Sequence, residues 1–123
     1  MARISVIIPV FNHAQFLADA IDSVLNQSTS SCEIIVIDDA SPDRTPEVTA
    51  RFGDKIMYRR NEVNLGLGQS RNRGLSIANG DYVAFLDADD ILLKAKLALQ
   101  VQFLDDHPDC GVTYADTEFA RAD

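Results

Sequence analysis

Apolar positions along this chain follow two rhythms in turn. Ile4-Ser-Val-Ile-Ile-Pro-Val10 and Glu33-Ile-Ile-Val-Ile-Asp38 are short β-branched runs, as expected for strands in a sheet covered on both faces. Pro9 belongs near the end of its strand, because it has no N–H for the ladder. Between these runs Leu17, Ala20, Ile21, Val24 and Leu25 recur at helical spacing. They predict a helix from about Ala14 to Asn26, with Asn12 placed to cap it. Ser41-Pro-Asp and Thr45-Pro-Glu each set a capping residue before a proline and predict a short helix that stops at Gly53. Ile56-Met-Tyr-Arg59 reads as a third strand and residues 61–68 as a polar loop. A helix from about Gln69 to Ala78 follows, closed in the left-handed conformation by Asn79-Gly80. Tyr82 to Leu86 is a fourth strand, and Leu92 to Asp106 is a helix ended by His107-Pro108. Val112-Thr-Tyr114 begins a fifth strand.

Strands alternating with helices, without repeats or low-complexity linkers, predict an α/β domain with a mostly parallel sheet and helices on both faces. In such sheets ligands sit at the carboxyl ends of strands, near a topological switch. The chemically conspicuous residues obey that rule: Asn12 follows the first strand, Asp38-Asp39 the second, and Asp87-Ala88-Asp89-Asp90 the fourth.

The last of these clusters carries the most information. An extended backbone points Asp87 and Asp89 to the same side. Two carboxylates about 5 Å apart repel by roughly 3 kcal/mol at an effective dielectric near 20. A divalent cation with oxygen ligands offsets that cost. Helix capping explains one of the three carboxylates, since a capping aspartate contributes about 1 kcal/mol, and leaves the others unexplained. Asp38 and Asp39 form a second pair. A turn needs one such side chain, and an acidic residue ending a second strand commonly accepts hydrogen bonds from a ribose or a base.

Arg71 shares a helical stripe with Gly74, Leu75 and Ala78, which turns it toward the sheet and Arg73 toward solvent. An inward guanidinium needs acceptors, either nearby carboxylates in a salt bridge or the oxygens of a ligand. Gly66-Leu-Gly-Gln-Ser-Arg71 looks like a dinucleotide fingerprint, but an arginine replaces its third glycine and it follows the third strand instead of the first.

The 123 residues fit one domain, or part of a larger one. A net charge of −8, from 19 acidic against 11 basic residues, argues against nucleic acid as the main partner. An anionic small molecule stays compatible when a cation mediates the contact. Cys32 and Cys110 lack metal-ligand spacing and read as small buried hydrophobes. No apolar run is long enough to cross a bilayer and no secretion signal opens the chain, so the expected location is cytoplasmic or peripheral at the inner membrane surface.

The ordered motifs resemble those of family 2 glycosyltransferases of the GT-A fold. Val6-Ile-Ile-Pro-Val-Phe-Asn12, Ser23-Val-Leu-Asn-Gln27 and Val36-Ile-Asp-Asp-Ala-Ser41 look like the opening of that family. Asn64-Leu-Gly66, Ser70-Arg-Asn-Arg-Gly74 and Ala78-Asn-Gly-Asp-Tyr-Val-Ala-Phe-Leu-Asp-Ala-Asp-Asp90 continue it. The resemblance implies a Rossmann-like nucleotide-binding half, a nucleotide-diphosphate sugar donor, usually with uridine, and Mn²⁺ or Mg²⁺. By position, the backbone of Pro9, Val10, Phe11 and Asn12 would line the nucleoside pocket and Asp39 would bind the base. Arg71 would reach the base or the neighbouring phosphate. Asp87, with Ala88 beside it, would contact the ribose or donor sugar, while Asp89 would ligate the metal.

Family members continue well past this length into an acceptor-binding half that supplies the general base. The expectation is therefore the N-terminal, donor-binding part of a larger inverting transferase acting on an acceptor hydroxyl of a glycan, lipid or protein. By the resemblance its base would lie beyond residue 123; Asp116 and Glu118 are near the right end of the fifth strand, and neither is assigned to that role. A severed half-domain exposes apolar surface, which predicts self-association. Two rivals fit less well. A phosphohydrolase with a DxD nucleophile puts the pair after its first strand, and a phosphorylatable receiver domain wants a lysine after its fifth. A fragment that binds nucleotide sugar without catalysis is the third alternative.

Overall fold

The computed structural model describes residues 3–29 and 31–120. Four parallel strands, β1 (Ile4–Val10), β2 (Cys32–Asp38), β3 (Met57–Arg60) and β4 (Tyr82–Phe85), lie in the order β3-β2-β1-β4. Register runs from Ile4↔Cys32 to Val10↔Asp38 between β1 and β2, from Ile4↔Tyr82 to Ile7↔Phe85 between β1 and β4, and from Ile35↔Met57 to Asp38↔Arg60 between β2 and β3. The chain steps outward twice from β1 and then crosses back to its other side, so the topological switch falls between β1 and β4.

The strand period divides the core in two. Val6, Ile8 and Val10 face one layer with Leu17, Ala20, Ile21 and Val24 of α1 (Ala14–Leu25) and Val48 of α2 (Thr45–Ala50). Leu97 and Val101 of α4 (Lys96–Asp106) join this layer. Ile7, Ile35 and Ile37 point the other way, toward α3 (Leu67–Ile77), whose Ile77 packs on them. Gly74 permits that close approach: a Cβ there would lie 2.5 Å from Cγ2 of Ile7. Helices therefore cover both faces, as the sequence implies.

Several expectations are corrected. Asn12 does not cap α1. His13 holds the cap position without a side-chain bond, and the Ala14 N–H instead donates to Asp43 Oδ2 at 2.9 Å. Asn79-Gly80 does not close α3 in the left-handed conformation, since Ala78 leaves the helix extended at φ −69°, ψ 137°. Gly80 has a different reason to be glycine, because a Cβ would lie 2.6 Å from the backbone nitrogen of Ser5. Helix α4 begins at Lys96 instead of Leu92, as Ser23 of α1 and Gln27 just beyond it take the Leu92, Leu93 and Leu97 backbone groups. No fifth strand forms at Val112–Tyr114. That segment pairs with no strand among the described residues, and Val112 and Tyr114 are 85% and 91% exposed. Unpartnered backbone hydrates instead of adopting strand geometry. Cys32 is half-buried and Cys110 exposed, so neither is the buried hydrophobe expected.

Candidate functional site

The carboxyl ends of β1, β2 and β4 are neighbours in the sheet and bring three loops to one rim. At the end of β1, Pro9 and Val10 are buried, and Phe11 and Asn12 emerge into solvent. Asn12 takes φ 58° and Ala40, just past β2, takes φ 60°. Positive φ is uncommon outside glycine and is tolerated best by asparagine. The two turns brace each other: the Asp39 N–H donates to Val10 O at 2.8 Å, and the Asn12 N–H donates to Ser41 Oγ at 3.1 Å.

Asp38 and Asp39 divide their work. Asp38 is fully buried and committed inside the fold, accepting from Tyr58 Oη at 2.5 Å, Arg60 Nη1 at 2.6 Å and the Ser41 N–H at 2.9 Å. Burial and the Asp38 carboxylate together push the Tyr58 phenol up to about 12. Asp39 is 4% exposed, and its oxygens accept from the Leu65 N–H at 2.7 Å, the Gly66 N–H at 2.9 Å and Asn61 Nδ2 at 2.9 Å. Burial opposes its ionisation, but the donors from Leu65, Asn61 and Gly66 outweigh it and hold the carboxyl below the ordinary aspartate range. The Ser70 hydroxyl adds to these donors in holding the carboxyl down.

Asn61 was missed by the sequence reading, although it follows β3 at the same rim. It links Asp39 to Ser70 Oγ at 3.1 Å and accepts from Arg73 Nη1 at 2.7 Å. Arg73 therefore turns back to the β3 end, where it also bonds Arg60 O, and does not project freely into solvent as expected.

At the end of β4 the strand alternation persists into the loop. Leu86 and Ala88 are buried at 4% and 2% exposure, while Asp87, Asp89 and Asp90 face out. Ala88 thus offers a ligand only its main chain. The Leu86 N–H donates to Ile7 O and the Asp90 N–H to Asp87 O, each at 3.0 Å. One carboxylate oxygen from each of Asp87, Asp89 and Asp90 lies within 4.8 Å of the others. Burial, then the charges of Asp89 and Asp87, raise the Asp90 carboxyl above its ordinary value, with Lys96 opposing. Three hard oxygen donors converging in this way suit Mg²⁺, Mn²⁺ or Ca²⁺ better than a soft metal.

Arg71 reaches over this cluster from α3. Its guanidinium carbon stands 5.4 Å from the centroid of Phe85, and Nη2 lies 3.4 Å from Asp87 Oδ1. The contact with Asp87 is long and both side chains are partly exposed, so it is a weak pair. Arg71 Nε is buried without a hydrogen-bond partner.

These rim loops can be compared with known proteins. The model for glycosyl transferase family 2 matches residues 5–119. The chain belongs to glycosyl transferase family 2. An uncharacterised glycosyltransferase of Rickettsia conorii is 42% identical over 106 residues, covering 85% of this chain and 18% of that protein. One of Haemophilus influenzae is 40% identical over 107 residues, covering 85% of this chain and 43% of its own length. Among solved structures, S. aureus TarS 1-349 in complex with UDP-GlcNAc superposes with a TM-score of 0.80 at 31% identity, covering 86% of this chain and 32% of TarS 1-349. The mannosyltransferase PcManGT of Pyrobaculum calidifontis, in complex with GDP-Man and Mn²⁺, gives a TM-score of 0.80 at 27% identity, covering 86% and 33%. The fold is that of GT-A transferases. This family 2 chain spans less than half the length of each of these proteins.

Proposed function

We propose that this chain is the donor-binding portion of a glycosyltransferase, holding a nucleotide-diphosphate sugar through a divalent cation at the β1/β4 crevice. The observation that carries the reading is the convergence of Asp87, Asp89 and Asp90 within 4.8 Å, with the Arg71 guanidinium 3.4 Å from Asp87. An acidic pocket repels a diphosphate unless a cation stands between them, and Mn²⁺ accompanies GDP-Man in PcManGT. Asp89 is the proposed ligand to Mn²⁺ or Mg²⁺, and Asp87 the contact to ribose or donor sugar. Arg71 is the proposed contact to the base or the neighbouring phosphate. Asp39 is the proposed contact to the base, with uridine the expected nucleoside. The backbone of Pro9 to Asn12 forms the wall between them, and the main chain of Ala88 completes it.

A cation held by Asp89 would neutralise the charge that grows on the departing nucleoside diphosphate. The chain's own residues bind, orient and screen the donor while an acceptor oxygen attacks the anomeric carbon with inversion. Asp116 and Glu118 lie in the exposed, irregular stretch after α4, far in structural character from a held general base. The acceptor is proposed to be a hydroxyl of a glycan, lipid or protein. A chain that binds the donor without turning it over is the second reading. No helix among the described residues is long and apolar enough to cross a membrane.

Calorimetry with UDP and Mn²⁺ tests the proposal. Wild-type binding that needs the metal and disappears in Asp89→Ala is the expected result. A folded wild type that binds neither UDP nor GDP with Mn²⁺ present overturns it.

A further inference from the structure

Ser23-Val-Leu-Asn-Gln27 sits at the C-terminal end of α1, and the donor site as described leaves it without a role. Both of its outer polar side chains are turned inward, with Ser23 9% and Gln27 7% exposed. Ser23 Oγ donates to Ala20 O at 2.7 Å and accepts from the Leu92 N–H at 3.1 Å. Gln27 Nε2 donates to Leu93 O at 2.8 Å and to Ser23 O at 3.1 Å, and its Oε1 accepts from the Leu97 N–H at 3.1 Å. The Ser28 N–H adds a bond to Lys94 O at 2.8 Å. Ala95, at the cap position of α4, makes no side-chain cap bond, so Gln27 caps that helix from across the fold.

These bonds grip the chain immediately downstream of Asp90. The upstream end of the same loop is gripped by β1, through Leu86 N–H to Ile7 O. The acidic loop is therefore held taut between two anchors, with its own turn closed only by Asp90 N–H to Asp87 O. Like charges within 4.8 Å push such a loop apart when no cation is present. A loop released at one end would populate splayed conformations, and cation affinity falls in proportion to the fraction that remains clustered.

We propose that Gln27 and Ser23 are positioning residues of the cation site, holding residues 92–97 so that the carboxylates of Asp87, Asp89 and Asp90 stay clustered. The inference rests on the donor-site reading above and adds to it a support on a different helix.

The test uses the 123-residue chain with Gln27→Met, Ser23→Ala and, as a comparison, Val24→Ala, a buried truncation on the same helix facing the sheet. Amide hydrogen exchange is followed in metal-free buffer, and Mn²⁺ uptake is followed by the loss of free-ion EPR signal with UDP present. In Gln27→Met the Leu97 amide, and in Ser23→Ala the Leu92 amide, should exchange about tenfold faster than wild type beyond any global change. Mn²⁺ binding should weaken by about tenfold, the lower end for lost support around a metal site. Val24→Ala should lower the unfolding temperature while leaving loop exchange, corrected for stability, and Mn²⁺ uptake at wild-type values. If Gln27→Met does not fold, Ser23→Ala carries the test, because it removes only the Leu92 anchor. Equal effects of Val24→Ala and the anchor variants overturn the positioning role, as do anchor variants with wild-type Mn²⁺ uptake. A wild type that takes up no Mn²⁺ overturns the donor-site reading itself, which separates the two failures.

Discussion

Gly74 of α3 rests directly on Ile7 of β1, where even a methyl group would come within 2.5 Å of Cγ2. The contact sets how closely α3 lies on the sheet, and so where Arg71, one turn earlier, meets the rim. Ile7 is fully buried and β-branched, so it cannot swing aside. Gly74→Ala should therefore destabilise the fold by about 1–3 kcal/mol, the usual range for overpacking. Urea unfolding measures this, and a cycle with Ile7→Ala should show strong non-additivity because the two residues touch.

The Tyr58 phenol gives a pH signature. Its folded pKa of about 12 lies above the ordinary tyrosine value near 10, so folding favours the neutral form. The stability this contributes is fully present below about pH 10 and is lost as pH rises through the folded value. Absorbance titration of the three tyrosines should show one step near pH 12 that disappears in Tyr58→Phe. Asp38→Asn should lower that step toward 10, because the carboxylate that accepts the phenol proton is gone.

Asp39 works in the opposite direction. Its folded pKa is lowered, so its contribution is present above the unfolded carboxylate value near 4 and is lost as pH falls through the folded one. Asp39→Ala leaves the Leu65 and Gly66 N–H groups without their acceptor. A buried donor left unpaired costs about 1–3 kcal/mol. Acid unfolding should shift to higher pH or become shallower in the variant, and UDP affinity should fall with it.

The acidic loop should trade stability against binding. Because three carboxylate oxygens lie within 4.8 Å of one another, Asp90→Asn should raise the metal-free unfolding temperature slightly. The groups are exposed, so the gain should be about 0.5 kcal/mol and should shrink in salt. Mn²⁺ with UDP should stabilise wild type more than the variant, as a ligand specific to the native state must. Differential scanning fluorimetry with and without EDTA reads both effects.

Self-association is expected at the outer edge of β4. That edge carries no strand among the described residues, and Val83 and Phe85 beside it are 40% and 45% exposed. Free backbone groups flanked by apolar side chains invite pairing. Sedimentation at micromolar concentration should show dimers, and Val83→Lys should return the chain to monomer.

Much of the architecture was legible in the chain. The runs around Val6 and Val36 could only be buried strands, and the Leu17–Val24 stripe could only be a helix facing them. What escaped were effects of tertiary contacts on local signals. Leu92 to Ala95 has a helical composition, yet Gln27 and Ser23 take its backbone groups from another element. Val112 to Tyr114 has strand composition and no neighbour to pair with. At the rim, the acidic cluster and Arg71 were visible as residue types with no ordinary structural use. The division of labour between Asp38 and Asp39 was not, because it depends on Tyr58, Arg60 and Asn61 arriving from later in the chain.

The exposed edge of β4 has one further consequence. Among the described residues the backbone of the acidic loop is tied to Ile7 of β1 at one end and to Ser23 and Gln27 at the other. Additional polypeptide can extend the sheet there without disturbing the cradle. On the donor-site proposal, one such cradle could be joined to different recognition modules while the choice of recipient drifts.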